Sequence, residues 1–153
     1  MAEHVSVDHI GITVSDLDRA VKFYEEGLRF RKTDEFLFTA YKDGFFGESA
    51  QARTLYGVAE GSTCRLAMMV PESGDTVLEL FCFSDRQPKR ERCWTVPSYT
   101  HFCVRTDAFT AVCERLKAAG ATFLMEPGTQ PGGAYWVFLT DPEGNMIEVC
   151  GND

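Results

Sequence analysis

The stretch VDHIGITVSDLDRAVKFYEEGLRF, residues 7–30, decides the fold, because a second stretch of the chain follows the same plan. YTHFCVRTDAFTAVCERLKAAGATF, residues 99–123, also opens with a short alternating segment whose third residue is His. Both stretches pass through a turn containing Asp into an amphipathic helical pattern, and both patterns end near a Gly, the usual helix-stop residue. The sequence therefore predicts two repeated strand–helix halves.

The two halves also end alike. TVLELF (76–81) and NMIEVC (145–150) each have the pattern of a strand with a central Glu. DPEGN (141–145) has the composition of a turn, so YWVFLT (135–140) and the strand that follows are predicted to form a β-hairpin. Each half is thus predicted to contain a strand, a helix and then several further strands.

This repeat sets the predicted domain organisation. We expect a single domain over 1–153, with a first module at 5–83, a linker at 84–97 and a second module at 98–151. The first module is the longer one, and its extra residues are predicted to form an insertion at about 36–63, which is rich in aromatic residues and Gly. The insertion fits either a wall over a site or an ordinary surface loop.

Composition narrows the class of protein. The chain has 153 residues, 44% hydrophobic and 25% charged, which suits a globular protein that needs no disulfide or structural metal. A net charge of −8 argues against a nucleic acid or an anionic membrane as the main partner. No apolar run approaches the roughly 20 residues of a membrane span, and no signal peptide is visible, so a cytoplasmic location is expected.

Six cysteines are present, but no C-x-x-C pair occurs among them. A zinc knuckle is therefore not expected. Most of the cysteines lie within apolar runs, so we predict buried free thiols rather than a disulfide framework.

Strand alternation places four polar side chains on equivalent faces. Successive side chains point to opposite faces of a strand, so the apolar neighbours of His9, Glu79, His101 and Glu148 face the helices and these four side chains face the other way. Any one of them alone would suit a hydrogen-bonded His or a solvated Glu. Two His and two Glu at equivalent positions of two halves instead predict a site for a divalent first-row metal.

The segments DHIGITVSDLDRAVKFY and FLTDPEGNMIEV resemble the vicinal oxygen chelate superfamily, which includes glyoxalase I, methylmalonyl-CoA epimerase, extradiol dioxygenases and bleomycin-resistance proteins. The resemblance covers nearly the whole chain apart from 36–63 and 84–97. It implies an α+β fold of two tandem βαβββ modules that form an open, barrel-like cleft around one metal, as in the glyoxalase/bleomycin resistance/dihydroxybiphenyl dioxygenase fold. It also implies a small-molecule substrate and a homodimer.

The resemblance implies roles for the four polar residues. His9, Glu79, His101 and Glu148 would be the metal ligands, and this His-Glu-His-Glu set is the one that bacterial-type glyoxalase I (lactoylglutathione lyase) carries. The ion would be nickel, zinc, cobalt or manganese, with iron less favoured. Glu148 would act as the catalytic base, and Glu79 would be its counterpart on the other face of the substrate.

One departure from the family pattern concerns the substrate. Bacterial relatives that use glutathione carry an Arg four residues after the first His, where this chain has Thr13, and this puts glutathione in doubt. Arg105 lies four residues after His101 and is predicted to bind an anionic substrate group, unless it pairs with an acidic side chain instead. Tyr135 and Trp136 are predicted to lie either along the pocket or in the core.

The implied activity is that of a metal-dependent lyase or isomerase, which moves a proton next to a metal-bound carbonyl through an enediolate. Two alternatives remain open. One is an Fe(II) extradiol-type dioxygenase, which the second carboxylate and the two-module length disfavour. The other is a metal-free protein that sequesters a drug-like small molecule, which the ligand quartet disfavours.

Overall fold

The first half folds as a strand, a helix and three strands, the last of which returns to lie beside the first. The computed structural model describes residues 5–42, 53–55, 57–88, 94–95 and 97–153. The elements of this half are β1 (His9–Thr13), α1 (Leu17–Leu28), β2 (Arg31–Thr39), β3 (Thr63–Val70) and β4 (Val77–Phe83). They form a sheet of order β1-β4-β3-β2, in which β1 and β4 are parallel and the other pairs antiparallel.

The second half repeats this plan with one strand divided. Its elements are β5 (Phe102–Thr106), α2 (Phe109–Ala118), β6 (Thr122–Phe123), β7 (Gly128–Thr129), β8 (Tyr135–Thr140) and β9 (Met146–Gly151). The sheet order is β5-β9-β8-β6, and the short β7 also pairs with β8. β5 and β9 are parallel, whereas β8 and β9 form the predicted antiparallel hairpin. The α+β class and the repeated βαβββ plan are therefore confirmed.

The chain divides into two compact units. One contains Met1–Val21 and Phe30–Gln87, and the other contains Lys22–Arg29 and Pro88–Asp153. Residues 36–39, at the start of the predicted insertion, belong to β2, while 43–52 and 56 lie outside the described residues, as do 89–93 and 96 of the predicted linker. The module boundaries at 5–83, 84–97 and 98–151 remain predictions.

Each sheet buries one face. In the first half, Leu78 and Leu80 of β4 are almost fully buried, whereas the side chains between and beside them are partly exposed. In the second half, the same alternation buries Ile147 and Val149 of β9 and leaves Glu148 between them partly exposed. Burying an aliphatic side chain of this size contributes about 1.5–3 kcal/mol, so this pattern fixes the register of both sheets.

The two predicted helix-stop glycines have different roles. Gly120 follows α2 with φ 99°, and the N–H of Ala121 donates to the carbonyl oxygen of Leu116 at 2.9 Å, which closes the helix as predicted. Gly27 does not stop α1, because it lies inside the last turn of that helix. A Cβ on Gly27 would lie 2.9 Å from Cδ2 of Leu116, so this glycine permits close packing of helices, and Arg29 makes the turn with φ 57°.

Neither α1 nor α2 combines the length and the apolar character that a membrane-crossing helix needs, and this holds for all the described residues.

Candidate functional site

The first His–Glu pair is formed by neighbouring parallel strands. His9 is the first residue of β1, and Glu79 of β4 lies opposite Gly11, two residues further along β1. The His9 Nε2 and the Glu79 Oε2 are 3.7 Å apart, and Nδ1 of the same ring lies 2.8 Å from Oδ1 of Asp8. The first half therefore brings one imidazole nitrogen and one carboxylate to the same place on its sheet.

The second pair follows the same geometry. His101 immediately precedes β5, and Glu148 of β9 lies opposite Cys103, again two residues beyond the His. The His101 Nε2 is 3.1 Å from Oε2 of Glu148, and its Nδ1 is 3.0 Å from the hydroxyl oxygen of Thr100. Equivalent positions of the sequence repeat thus occupy equivalent positions of the two sheets.

The two pairs differ in their exposure to water. The side chains of His9 and Glu79 are 51% and 19% exposed, against 23% and 18% for His101 and Glu148. The hydrogen bond to the Asp8 carboxylate raises the pKa of His9 above its ordinary value, and the charge of Glu79 acts in the same direction. The two pairs therefore differ mainly in the exposure of the His, since the two Glu side chains are exposed to the same extent.

The donor atoms of each pair fit a divalent metal. A metal-bound His commonly engages its second ring nitrogen in a hydrogen bond, which orients the ring, and in both pairs Nδ1 has such a partner while Nε2 faces the carboxylate. Imidazole nitrogen with carboxylate oxygen suits nickel, zinc, cobalt and manganese. Within the described part of the chain, no three His, Cys, Asp or Glu side chains group closely enough to hold an ion together. The four-residue ligand set therefore remains a prediction.

The two predicted substrate-binding residues are both exposed. Thr13 ends β1 and lies two residues beyond Gly11, on the strand face that also carries His9. Arg105 lies on the face of β5 that carries Cys103, opposite Cys150 of β9. Arg105 makes no ion pair with any described residue, so the alternative in which an acidic side chain occupies it is not observed there.

The two aromatic residues of β8 are not part of the buried core. Tyr135 is exposed, and its ring stacks on that of Phe109 with 5.3 Å between centroids. Trp136 is partly buried, and its ring meets Phe138 edge-on at 5.6 Å. Tyr135 therefore packs on the helix side of the sheet, whereas Trp136 lies on the opposite face, and a role of either residue in lining a pocket remains a prediction.

Sequence reasoning missed two aromatic neighbours of His101. The rings of Trp94 and Phe138 lie 5.6 Å and 5.0 Å from the imidazole, and 5.4 Å from each other. Phe138 could have been found, because the hairpin register places it opposite Glu148. Trp94 could not, since it lies in a polar segment that the composition assigns to the linker.

Cys103 is an exception to the prediction of buried thiols. Cys64, Cys113 and Cys150 are buried and Cys82 is partly buried, but Cys103 is exposed because it lies on the face of β5 that is turned away from the core. Its sulfur lies 3.5 Å from that of Cys150. Cys93 lies outside the described residues.

Each half of the repeated strand–helix–strands fold thus brings a His and a Glu together at its pair of parallel strands. Residues 6–149 match the Glyoxalase/Bleomycin resistance protein/Dioxygenase superfamily, and the chain belongs to that family. This confirms the family resemblance of the sequence.

The chain is similar along most of its length to curated relatives. It is 30% identical over 147 residues to a probable lactoylglutathione lyase of Vibrio parahaemolyticus, a match that covers 94% of this chain and 88% of the relative. It is 27% identical over 148 residues to the lactoylglutathione lyase of Haemophilus influenzae, with 94% and 90% covered. These identities are low enough that the reaction of this chain needs its own argument.

Solved structures agree on the fold. A glyoxalase family protein from Bacillus cereus superimposes with a TM-score of 0.75 at 19% identity, covering 98% of this chain and 95% of the other. An antibiotic-binding protein from Streptomyces superimposes with a TM-score of 0.60 at 22% identity over the full length of both chains. Since proteins named for catalysis and for binding share this fold, the fold alone does not decide between them.

Proposed function

We propose that the protein is a divalent-metal-dependent lyase or isomerase of the glyoxalase I type, which transfers a proton at the carbon next to a carbonyl group. The observation that carries this proposal is the repeated approach of a His Nε2 to a Glu carboxylate, at 3.7 Å in one half and 3.1 Å in the other. The relatives named lactoylglutathione lyase support the same chemistry.

His9, Glu79, His101 and Glu148 are the proposed ligands of the ion, which would be nickel, zinc, cobalt or manganese. Such an ion, when bound, polarises the substrate carbonyl and offsets the negative charge that develops on its oxygen. Carboxylates tolerate a partly buried strand position better beside a cation, because the cation offsets their loss of hydration. This accounts for a Glu in each of two otherwise apolar strands.

Glu148 is the proposed catalytic base. Its carboxylate is 18% exposed and accepts a hydrogen bond from the His101 ring in the tautomer that carries a proton on Nε2. A base must lie within hydrogen-bond reach of the proton that it takes, and Glu148 lies among groups that face away from the buried core. In this proposal Glu148 takes the proton from the substrate carbon and returns it to the neighbouring one, while Glu79 serves as its counterpart on the other face of the substrate.

Arg105 and Thr13 are the proposed substrate-binding residues. An exposed guanidinium without an ion-pair partner among the described residues is available for bidentate binding of a carboxylate or phosphate group. Thr13 offers only a hydroxyl where glutathione-using relatives offer a cation, which puts a glutathione adduct in doubt as the substrate. The proposal also includes a homodimer.

The first test is metal content and activity of untagged protein purified without chelators, beside Glu148→Gln and the loop control Glu72→Gln. We expect one divalent ion per chain in the native protein and in Glu72→Gln, and weakened or lost metal in Glu148→Gln. Loss of a general base lowers a rate by about 10²–10⁴-fold, so turnover of hemithioacetals and of acyl-CoA epimers by Glu148→Gln should fall by at least about 10²-fold.

The same measurement separates the alternatives. Iron as the bound metal, together with consumption of dioxygen, would identify a ring-cleaving dioxygenase instead. Absence of metal in all three proteins, even after soaking with divalent ions, would contradict the proposal and leave a protein that only binds its small molecule.

A further inference from the structure

An aromatic surface that is partly open to water lies beside the second His–Glu pair. It consists of Trp94, Trp136 and Phe138, and we call it the aromatic wall. Trp94 and Phe138 each contact the His101 ring, at 5.6 Å and 5.0 Å between centroids, and Trp136 continues the surface along β8 at 5.6 Å from Phe138. The aromatic wall is thus continuous with the imidazole of the candidate site.

The hairpin register fixes which side of the sheet carries the aromatic wall. Phe138 of β8 lies directly opposite Glu148 of β9, and Val137 and Leu139 on either side of it are fully buried. Because side chains alternate along a strand, Phe138 and Glu148 face the same way. The apolar rings and the proposed base therefore lie next to each other on one accessible face.

Two observations indicate that the aromatic wall serves more than packing. Trp94 is 57% exposed, although a Trp side chain gains more from burial than almost any other. Trp136 is held in place by the β7 backbone, since a Cβ on Gly128 would lie 2.7 Å from the indole nitrogen. The two indoles both contact Phe138, at 73° and 84° to its ring, and together they offer a ligand an aromatic surface beside His101.

We propose that the substrate carries an aromatic ring next to its reacting carbonyl, and that Trp94 selects such substrates by stacking against that ring. This inference rests on the proposed function and names its substrate class. Trp94 and Phe138 meet at 73° with 5.4 Å between centroids. His101 occupies one side of this pair, and the 57% exposed Trp94 side chain leaves indole surface on which a substrate ring can pack. Aromatic pairs gain free energy beyond that of buried area, whereas a saturated group gains only from the area.

Intrinsic fluorescence reports on the aromatic wall directly, because both tryptophans of the chain belong to it. The experiment titrates zinc-equilibrated protein with 2-hydroxyacetophenone and, separately, with its cyclohexyl analogue, a saturated ring of matched size. We expect the aromatic probe to bind about tenfold more tightly, which corresponds to about 1.4 kcal/mol. The readout is the dissociation constant and does not depend on turnover.

Three variants test whether Trp94 causes the preference for the aromatic probe. Trp94→Ala should lose the roughly tenfold preference for the aromatic probe, and Trp94→Phe should keep most of it. Tyr99→Ala removes an exposed aromatic side chain close in sequence to Trp94, and it should leave both dissociation constants unchanged. Trp136 still provides a signal in each variant, and circular dichroism shows whether the variant has folded.

The outcomes separate this inference from the proposed function. Equal affinity for the two probes, or a preference that persists in Trp94→Ala, would overturn the inference while leaving metal uptake intact. Absence of binding by either probe in a protein that takes up metal would overturn it as well. The proposed function, by contrast, would be contradicted by a different result, namely failure of the native protein to bind metal.

Discussion

At the scale of single residues, the position of Glu148 within an apolar strand follows from alternation and from its partner. Its two strand neighbours are fully buried, and its own carboxylate meets His101 on the other face. The alternation of side chains along a strand predicts from the sequence that Glu148 faces away from its two buried neighbours. The contact with His101 depends on pairing between strands that are distant in the chain, and only the internal repeat indicated it.

Gly151 is required by a close approach between parallel strands. A Cβ at this position would overlap the carbonyl oxygen of Thr106 on β5, directly opposite in the register. We expect Gly151→Ala to destabilise the protein by about 3 kcal/mol or more, because a backbone atom cannot move aside as a side chain does. Urea unfolding followed by circular dichroism measures this loss.

The matched control is Gly74→Ala. Gly74 has φ 95° but nothing within 4 Å of an added Cβ, so this variant carries backbone strain without overlap. It should lose only about 1–2 kcal/mol. Equal losses for the two variants would show that strain, rather than the contact with Thr106, determines the effect at Gly151.

Cys64 and Cys113 should react slowly with thiol reagents. Burial raises the pKa of each thiol to about 11, and only the thiolate is nucleophilic. Relative to a thiol with the ordinary pKa of 9.0, a shift of this size lowers the thiolate fraction about hundredfold near neutral pH. Alkylation with iodoacetamide, mapped by mass spectrometry, should label both residues rapidly only after unfolding in urea, and rapid labelling in the folded protein would contradict the expectation.

At the scale of elements, α2 obtains its N-terminal cap from a residue far along the chain. The carboxylate of Asp153 accepts hydrogen bonds from the backbone N–H of Thr110 at 2.7 Å and from its hydroxyl at 2.6 Å. These bonds lower the pKa of Asp153 below its ordinary value. This cap cannot be recognised from the sequence next to α2, because Asp153 lies beyond β9, at the other end of the second half.

This cap predicts a dependence of stability on acid. A carboxyl group whose pKa is lower in the folded state stabilises the fold above its unfolded pKa, and the contribution disappears as the pH falls through the folded value. Asp153→Asn should therefore lower the melting temperature at neutral pH and match the native protein in strong acid. Thermal scans over a pH series measure the difference.

The control for this prediction is Asp75→Asn, in the loop between β3 and β4, which should leave the pH profile unchanged. A difference between native protein and Asp153→Asn that stays constant down to strong acid would mean that the charge of Asp153 does not contribute.

The two glycines near helix ends show which structural roles the local sequence can predict and which it cannot. Gly120 behaves as helix-stop preference predicts, because a left-handed residue after a helix is a local requirement. The role of Gly27 is set instead by the approach of Leu116 from a different helix. The sequence around a glycine can predict a helix stop, whereas a role in helix packing depends on residues that are distant in the chain.

At the scale of the whole molecule, the sequence repeat predicted more of the site than any single motif. It predicted two halves with the same order of elements, and in each half it placed a His on the first strand and a Glu on the last. The structure adds that each Glu lies opposite the residue two beyond its His, in both halves alike. Trp94 lay outside the repeat, so its contact with His101 could not be anticipated.

The parallel pairing of the first and last strands of each half determines when its His–Glu pair can form during synthesis of the chain. A ribosome releases His9 long before Glu79, and His101 long before Glu148, yet each pair forms only when the closing strand of its half lies beside the opening one. A nascent chain that has not yet made β4 or β9 therefore carries imidazoles without their carboxylates. Each His–Glu pair is therefore completed only when the last strand of its half has been made.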